Sequence, residues 1–251
     1  MNEPISPLPP VPPPSSLAFS AEDIVPIPNA TAAVEAILRH PRRVLFHLRQ
    51  GNSRRMIGAL LVSSLAFALV YGFVIGTFSG GAQLWQAPLK VAGGLLLSAL
   101  ICLPSLYIFA CLSGSEARLP QIAGLVVGLL GLTTLLLIGF APIAWVFSQS
   151  TASVSVMGAL HVAFWLVAIG FGWRFLSHGF EHFNAKGRGA LSFWMVIFVV
   201  VCLQMTTALR PIVGTAPTVL PQEKKFFLTH WLESLEEERT KAADANISRT
   251  R

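Results

Sequence analysis

The stretch RHPRRVLFHLRQGNSRRMIGALLVSSLAFALVYGFVIGTF, residues 39–78, changes character partway along. Its first seventeen residues carry six arginines, Arg39, Arg42, Arg43, Arg49, Arg54 and Arg55, and no acid. From Met56 to Phe78 there is no charged residue at all. A helix needs about 20 apolar residues to cross a hydrocarbon core. A basic run that stops where such a segment begins has two readings: a grip on a phosphate backbone, or an anchor that holds one end of a membrane helix in the cytosol. The rest of the chain decides between them.

Working outward, four more runs resemble the first. They lie at about 88–112, 119–147, 154–175 and 191–209. Lys90 sits near an end of the second and Arg174 at the end of the fourth, where long stems reach the membrane boundary. No other Lys, Arg, Asp or Glu falls in the five runs. Over the whole chain 53% of residues are hydrophobic and only 12% charged, against about 25% charged in ordinary soluble domains. Mean hydropathy is +0.64. Transmembrane strands alternate in polarity. Continuous apolar runs instead require helices, which satisfy their own backbone groups in lipid. The expected fold class is all-α, a polytopic membrane bundle of about five helices.

The positions of the charges fix an orientation. With residues 39–55 in the cytosol, the connections alternate: 79–87 outside, 113–118 inside, 148–153 outside, 176–190 inside. The outer ones, SGGAQLWQA and SQSTAS, carry no charge, whereas the inner ones carry Arg118, Lys186 and Arg188. This is the positive-inside pattern. The six arginines are thus expected to anchor the chain at a membrane surface and attract anionic headgroups; nucleic acid is not an expected partner despite the pI of about 9.7. The location is a cell (inner) membrane, with the N-terminus cytosolic and the C-terminus on the far side.

Four segments follow from this. Residues 1–30 hold PLPPVPPP and are expected to be a disordered proline-rich tail. Residues 31–55 are expected to form two short basic amphipathic helices, separated at Pro41 and suited to the plane of an anionic membrane surface. Residues 56–210 form the membrane domain. Residues 211–251 are expected to form a non-cytosolic tail with an amphipathic helix, since Phe227, Trp231 and Leu235 recur at helical spacing.

Candidate sites are few. Gly72, Gly76 and Gly80 make two overlapping GxxxG units, and Gly124 with Gly128 makes another. Such glycines let helices approach closely in lipid, within one bundle or between two copies in a homo-oligomer. HGFEH, His178 to His182, matches the H-x-x-E-H zinc pattern, with Glu181 as its general base. It lacks a third ligand on the same side, and Gly179 loosens its helix. Neither metal nor catalysis is expected, and no motif implies a cofactor. His161 and Gln204 lie inside apolar runs, where ionisable and polar groups are functional suspects. With no carboxylate in any run, hydrogen bonds between helices are their expected role. Cys102, Cys111 and Cys202 read as small buried hydrophobes.

The run YGFVIGTFSGGAQLWQAPLKVAGGLLLSALICLPSLYIFACLSG, together with the later LRPIVG and the five-span architecture, resembles the Yip1 family of membrane proteins. The resemblance covers about residues 55–210 and is to its uncharacterised bacterial branch. It implies membrane residence and little about chemistry. Some members of that branch carry an actin-binding label, but no LKKT-like core stands here. The acidic N-terminal motif with Gly-Pro is also missing, so small-GTPase binding does not carry over. The expected function is membrane organisation or scaffolding of a partner complex, the alternative a permease-like subunit for a small or lipidic substrate.

Overall fold

The computed structural model describes residues 19–51, 53–151, 153–185, 188–209 and 240. Among these there is no strand. Seven helices follow one another: α1 (Ala30–Arg39), α2 (Pro41–Gln50), α3 (Arg54–Ser79), α4 (Gln83–Leu112), α5 (Leu119–Ser150), α6 (Val154–His182) and α7 (Arg188–Ala208). A single 3-10 turn, Ala21–Ile24, precedes them. The last five are long and apolar enough to cross a membrane. The expected proline-rich stretch before residue 19 and the expected tail helix both lie outside the described residues.

Local chemistry sets the helix ends. Asn29 caps α1 by accepting from the Ala32 N–H at 2.9 Å. Pro41 separates the short helices, as its sequence position implies, and also opens α2, where a missing N–H costs nothing. Gly51, at φ 80°, closes α2 in the left-handed conformation that favours glycine. Between α3 and α4 the chain reverses in three residues, with Gly80 and Gly81 at φ 65° and 55°. The connection expected at 79–87 therefore contracts to 80–82: two glycines make the turn, and QLWQ, with no breaker of its own, is already the first turn of α4. Likewise α6 runs on to His182, which shortens the connection expected at 176–190.

The long helices pack around α5. Over their most apolar 18-residue windows α5 is 61% buried and the other four only 22–28%. Its neighbours are α3 and α6, while α4 packs on α3 and α7 on α4. Prolines do not end the helices they interrupt. Pro104 cannot donate to the carbonyl one turn back. Beside it, Trp194 of α7 reaches into α4, its indole N–H 3.0 Å from the Cys102 carbonyl and 3.1 Å from Ser105 Oγ. Trp194 is fully buried and stacks on Phe198. The outward faces are apolar, with Val62, Leu89, Leu100, Ile108 and Val196 among the exposed side chains.

Two expectations about the N-terminal part are corrected. The amphipathic pair α1–α2 turns its apolar faces into the protein instead of leaving them to lipid. Ala33, Ala36, Ile37, Val44, Leu45 and Leu48 are buried and belong to the same core as Leu125, Leu129 and Phe180. An apolar stripe needs an apolar cover, and here the ends of α3, α5 and α6 supply it. Nor does the tail extend to residue 30. Residues 19–29 follow a defined path across α2, because α2 offers donors to their backbone. Arg43 Nε donates to the Val25 carbonyl at 2.7 Å, and its terminal nitrogen to the Pro26 carbonyl. His47 Nε2 lies 2.9 Å from the same Val25 carbonyl. Asp23 is buried, holds Ser20 through its N–H at 2.8 Å, and faces Arg42 at 3.8 Å.

Candidate functional site

Three segments gather at one end of the bundle: 39–55, the α4–α5 connection and the α6–α7 connection. The Glu116 N–H donates to the Phe183 carbonyl at 3.1 Å, tying the two connections together. Gln121, in the first turn of α5, donates through Nε2 to the carbonyls of Leu48 and Arg49, both at 3.3 Å. Its Oε1 accepts from the Arg118 N–H at 2.8 Å. One side chain thus joins the end of α2 to the start of α5. This basic end carries all six arginines of the opening stretch together with Arg118.

The six arginines divide into two groups. Arg39 pairs with Glu35 at 3.7 Å on the surface, a contact worth little at such exposure. Arg42 and Arg43 turn inward and hold residues 19–29, as described above. The other three, Arg49, Arg54 and Arg55, are exposed. Among the described residues their guanidinium groups have no protein partner.

HGFEH is not an interfacial loop but the last turn of α6, and its side chains diverge. His178 is exposed and His182 buried. Each donates Nδ1–H to the carbonyl one turn back, His178 to Arg174 at 2.6 Å and His182 to His178 at 2.9 Å. The His182 ring packs against Phe19, centroids 4.9 Å apart. Glu181 borders a small cleft with Phe109, Ser113, Ser177 and Leu191. Among the described residues no three His, Cys, Asp or Glu side chains come together as metal ligands. Gly179 has a packing role that the motif obscured: a Cβ there would run into Leu125 of α5 and lie 3.2 Å from Leu45 of α2.

Deep in the bundle, His161 of α6 meets Tyr71 of α3. The hydroxyl lies 2.8 Å from Nδ1, and the rings stand edge to face. Both are buried, and Tyr71 belongs to a second core cluster with Ile75, Ala87, Leu137, Ala141 and Ala168. Nε2 of His161 is buried and has no partner among the described residues. Sequence reasoning named His161 but missed Tyr71, although a tyrosine inside an uncharged apolar run was a signal. Gln204 is half-buried on α7 and takes no part in this pair.

The glycines do different work. A Cβ on Gly72 would lie 2.5 Å from Cα of Pro88, and one on Gly76 2.6 Å from the Gln83 carbonyl oxygen, so α3 and α4 touch backbone to backbone. Gly124 faces Leu48 and Ile57, and Gly128 faces the Phe175 ring. Gly80 departs from the packing role expected of it: nothing lies within reach of its Cβ position, and its positive φ makes it a turn residue. Gly131 against Ser64 and Gly172 against Leu129 extend the seam along both sides of α5.

Comparison with models of protein families, with curated proteins and with solved structures found no match to this chain.

Proposed function

We propose that this chain is a five-span inner-membrane protein of the Yip1-like kind. Its N-terminus and basic end lie in the cytosol, and it organises membrane or scaffolds a partner complex without chemistry of its own. The observation that carries this reading is the platform at the basic end. Residues 19–29, α1 and α2 are fastened to the long helices through a shared core, so they present a fixed surface. Ile24, Val25 and Leu38 stand exposed on it, 47–55% accessible, as suits a surface that docks a partner. Photo-crosslinking residues at Leu38 and at Trp85, which is exposed by the α3–α4 turn, test the idea in cells. One recurrent protein captured at Leu38 and absent at Trp85 is the expected result. Capture of lipid alone at both positions would refute it.

A second reading, a permease-like subunit for a small or lipidic substrate, has one observation in its favour. The Tyr71–His161 pair puts an unbonded ring nitrogen in the apolar interior, where polar groups commonly mark substrate paths. Its test is the double variant described in the Discussion.

A further inference from the structure

The basic end contains a cationic cluster that the sequence runs together with other arginines and that the fold sets apart. Arg49 lies in the last turn of α2, Arg54 and Arg55 begin α3, and Arg118 immediately precedes α5. Gln121 binds the first and last of these sites together by bonding the Arg49 carbonyl and the Arg118 N–H. The start of α3 is pressed onto the same place, since a Cβ on Gly124 would lie 3.0 Å from Ile57. All four arginines are exposed. Among the described residues none of their guanidinium groups has an ion-pair or hydrogen-bond partner. Of the acids at this end, Asp23 faces Arg42 and Glu35 faces Arg39, and among the described residues Glu116, two residues from Arg118, forms no ion pair. The positive ends of α3 and α5 meet the negative end of α2 here, so the arginines themselves set the field.

Four guanidinium groups on neighbouring segments repel one another, and among the described residues no carboxylate pairs with them. Their level supplies the relief. Met56, which follows Arg55, opens the uncharged part of α3, and Leu119, which follows Arg118, begins α5; both helices are apolar enough to cross a membrane. The four charges are therefore placed where phosphate groups of the inner leaflet lie. Arginine binds phosphate oxygens in pairs of parallel hydrogen bonds. Four arginines match two phosphodiesters better than one, and basic pockets between membrane helices on this side take such headgroups.

We propose that Arg49, Arg54, Arg55 and Arg118 form a discrete site for a phospholipid with two phosphodiesters, cardiolipin, at the junction of α2, α3 and α5. The site rests on the reading of the five long helices as spans with the basic end inside, and it goes beyond that reading by separating these four from Arg39, Arg42, Arg43 and Arg174.

The full chain is purified in mild detergent, and retained lipid is measured by native mass spectrometry with added cardiolipin, phosphatidylglycerol or phosphatidylethanolamine. The wild type is expected to keep one cardiolipin per chain in preference to phosphatidylglycerol. Arg49→Gln with Arg118→Gln leaves Arg54 and Arg55 to hold the orientation. It should weaken cardiolipin retention about thirtyfold, taking each basic group near an anionic surface to contribute about fivefold. Arg49→Lys with Arg118→Lys should recover part of the loss, because charge returns without the paired hydrogen bonds, and this partial rescue separates charge from misfolding. Arg39→Gln with Arg174→Gln, both exposed and outside the cluster, should retain cardiolipin like the wild type. Equal loss in the two glutamine variants would overturn the site in favour of general charge, and no loss in either would overturn it outright. Displacement of cardiolipin by an equal concentration of inorganic pyrophosphate or single-stranded RNA would likewise overturn it. A reporter fused after Gly114 reads the orientation separately. An outward reporter would refute the topology while leaving the lipid measurement interpretable.

Discussion

Gly76 of α3 lies against the backbone of Gln83 in α4, so closely that a Cβ on the glycine would come within 2.6 Å of the Gln83 carbonyl oxygen. Backbone atoms in a helix cannot step aside as a side-chain tip can. In lipid, where apolar side chains gain little by leaving the solvent, such contact is a main source of helix association. Gly76→Leu is therefore expected to destabilise the protein by about 1–3 kcal/mol, the usual range for overpacking. Thermal unfolding in detergent measures it. Val70→Leu is the matched control, since Val70 is 53% exposed. Equal melting temperatures for the two variants would mean that α3 and α4 do not meet here.

The buried pair makes a second case. Tyr71→Phe removes the bond to His161 and leaves both ring nitrogens unbonded. A loss of about 0.6–1.7 kcal/mol is expected, the span measured for hydrogen bonds between membrane helices. Replacing both partners, Tyr71→Phe with His161→Leu, removes the unsatisfied groups as well and should restore stability to near that of the wild type. If the double variant is stable and a cellular phenotype is nevertheless lost, the pair serves transport. A stable variant with an intact phenotype would leave it a structural bond.

Residues 19–29 provide a third. Arg43→Ala removes the donors that hold the Val25 and Pro26 carbonyls. Hydrogen exchange at residues 19–29 should rise sharply while α3 to α6 stay protected, because Arg43 lies at the surface of the platform and not in the bundle core. Unchanged exchange would show that Phe19 and Asp23 hold the segment by themselves.

The histidines of HGFEH should separate in mutants. His178→Ala is expected to leave stability unchanged, since His178 is exposed. His182→Ala should lower the melting temperature, because it opens space beneath Phe19 in a buried position. Elemental analysis of the purified protein should find no stoichiometric zinc. One zinc per chain, lost in both variants, would restore the metal reading.

Orientation is testable without purification. A reporter fused after Gly114 should be cytosolic, and one after Arg251 should be on the far side. A cytosolic reporter after Arg251 would require an even number of crossings.

The five long helices were legible because their sequences exclude charge over lengths that a soluble helix does not need. Their ends were less so. Gly80 looked like the third member of a packing strip and instead turns the chain, since glycine serves close approach and positive φ alike and spacing does not distinguish them. Both short helices were legible as amphipathic, but lipid and protein core are equally apolar, so the sequence did not say which covers Ile37 and the stripe Val44–Leu45–Leu48, and Leu38, which the spacing put on the apolar face of α1, is exposed. The path of residues 19–29 left no trace, because Arg43 and His47 bind backbone carbonyls, which every residue has. Tyr71 and His161 stand ninety residues apart. Only the meeting of α3 with α6 across α5 makes them a pair. Among the six arginines the division between engaged and free was invisible for the same reason: it depends on which carbonyls and carboxylates lie nearby.

The central burial of α5 has a consequence for how the protein is made. Its partners are synthesised on either side of it in time: α3 is already in place when α5 emerges, and α6 comes only afterwards. A chain that has grown to residue 150 has filled the groove at Gly131 with α3, while Gly128 and Thr133, which α6 later covers with Phe175 and Gly172, still face outward. At that moment α5 is half clothed. A chain arrested there displays a glycine- and threonine-lined strip suited to another helix. Quality-control machinery that recognises small-residue surfaces in the bilayer would read that strip as the mark of an unfinished molecule.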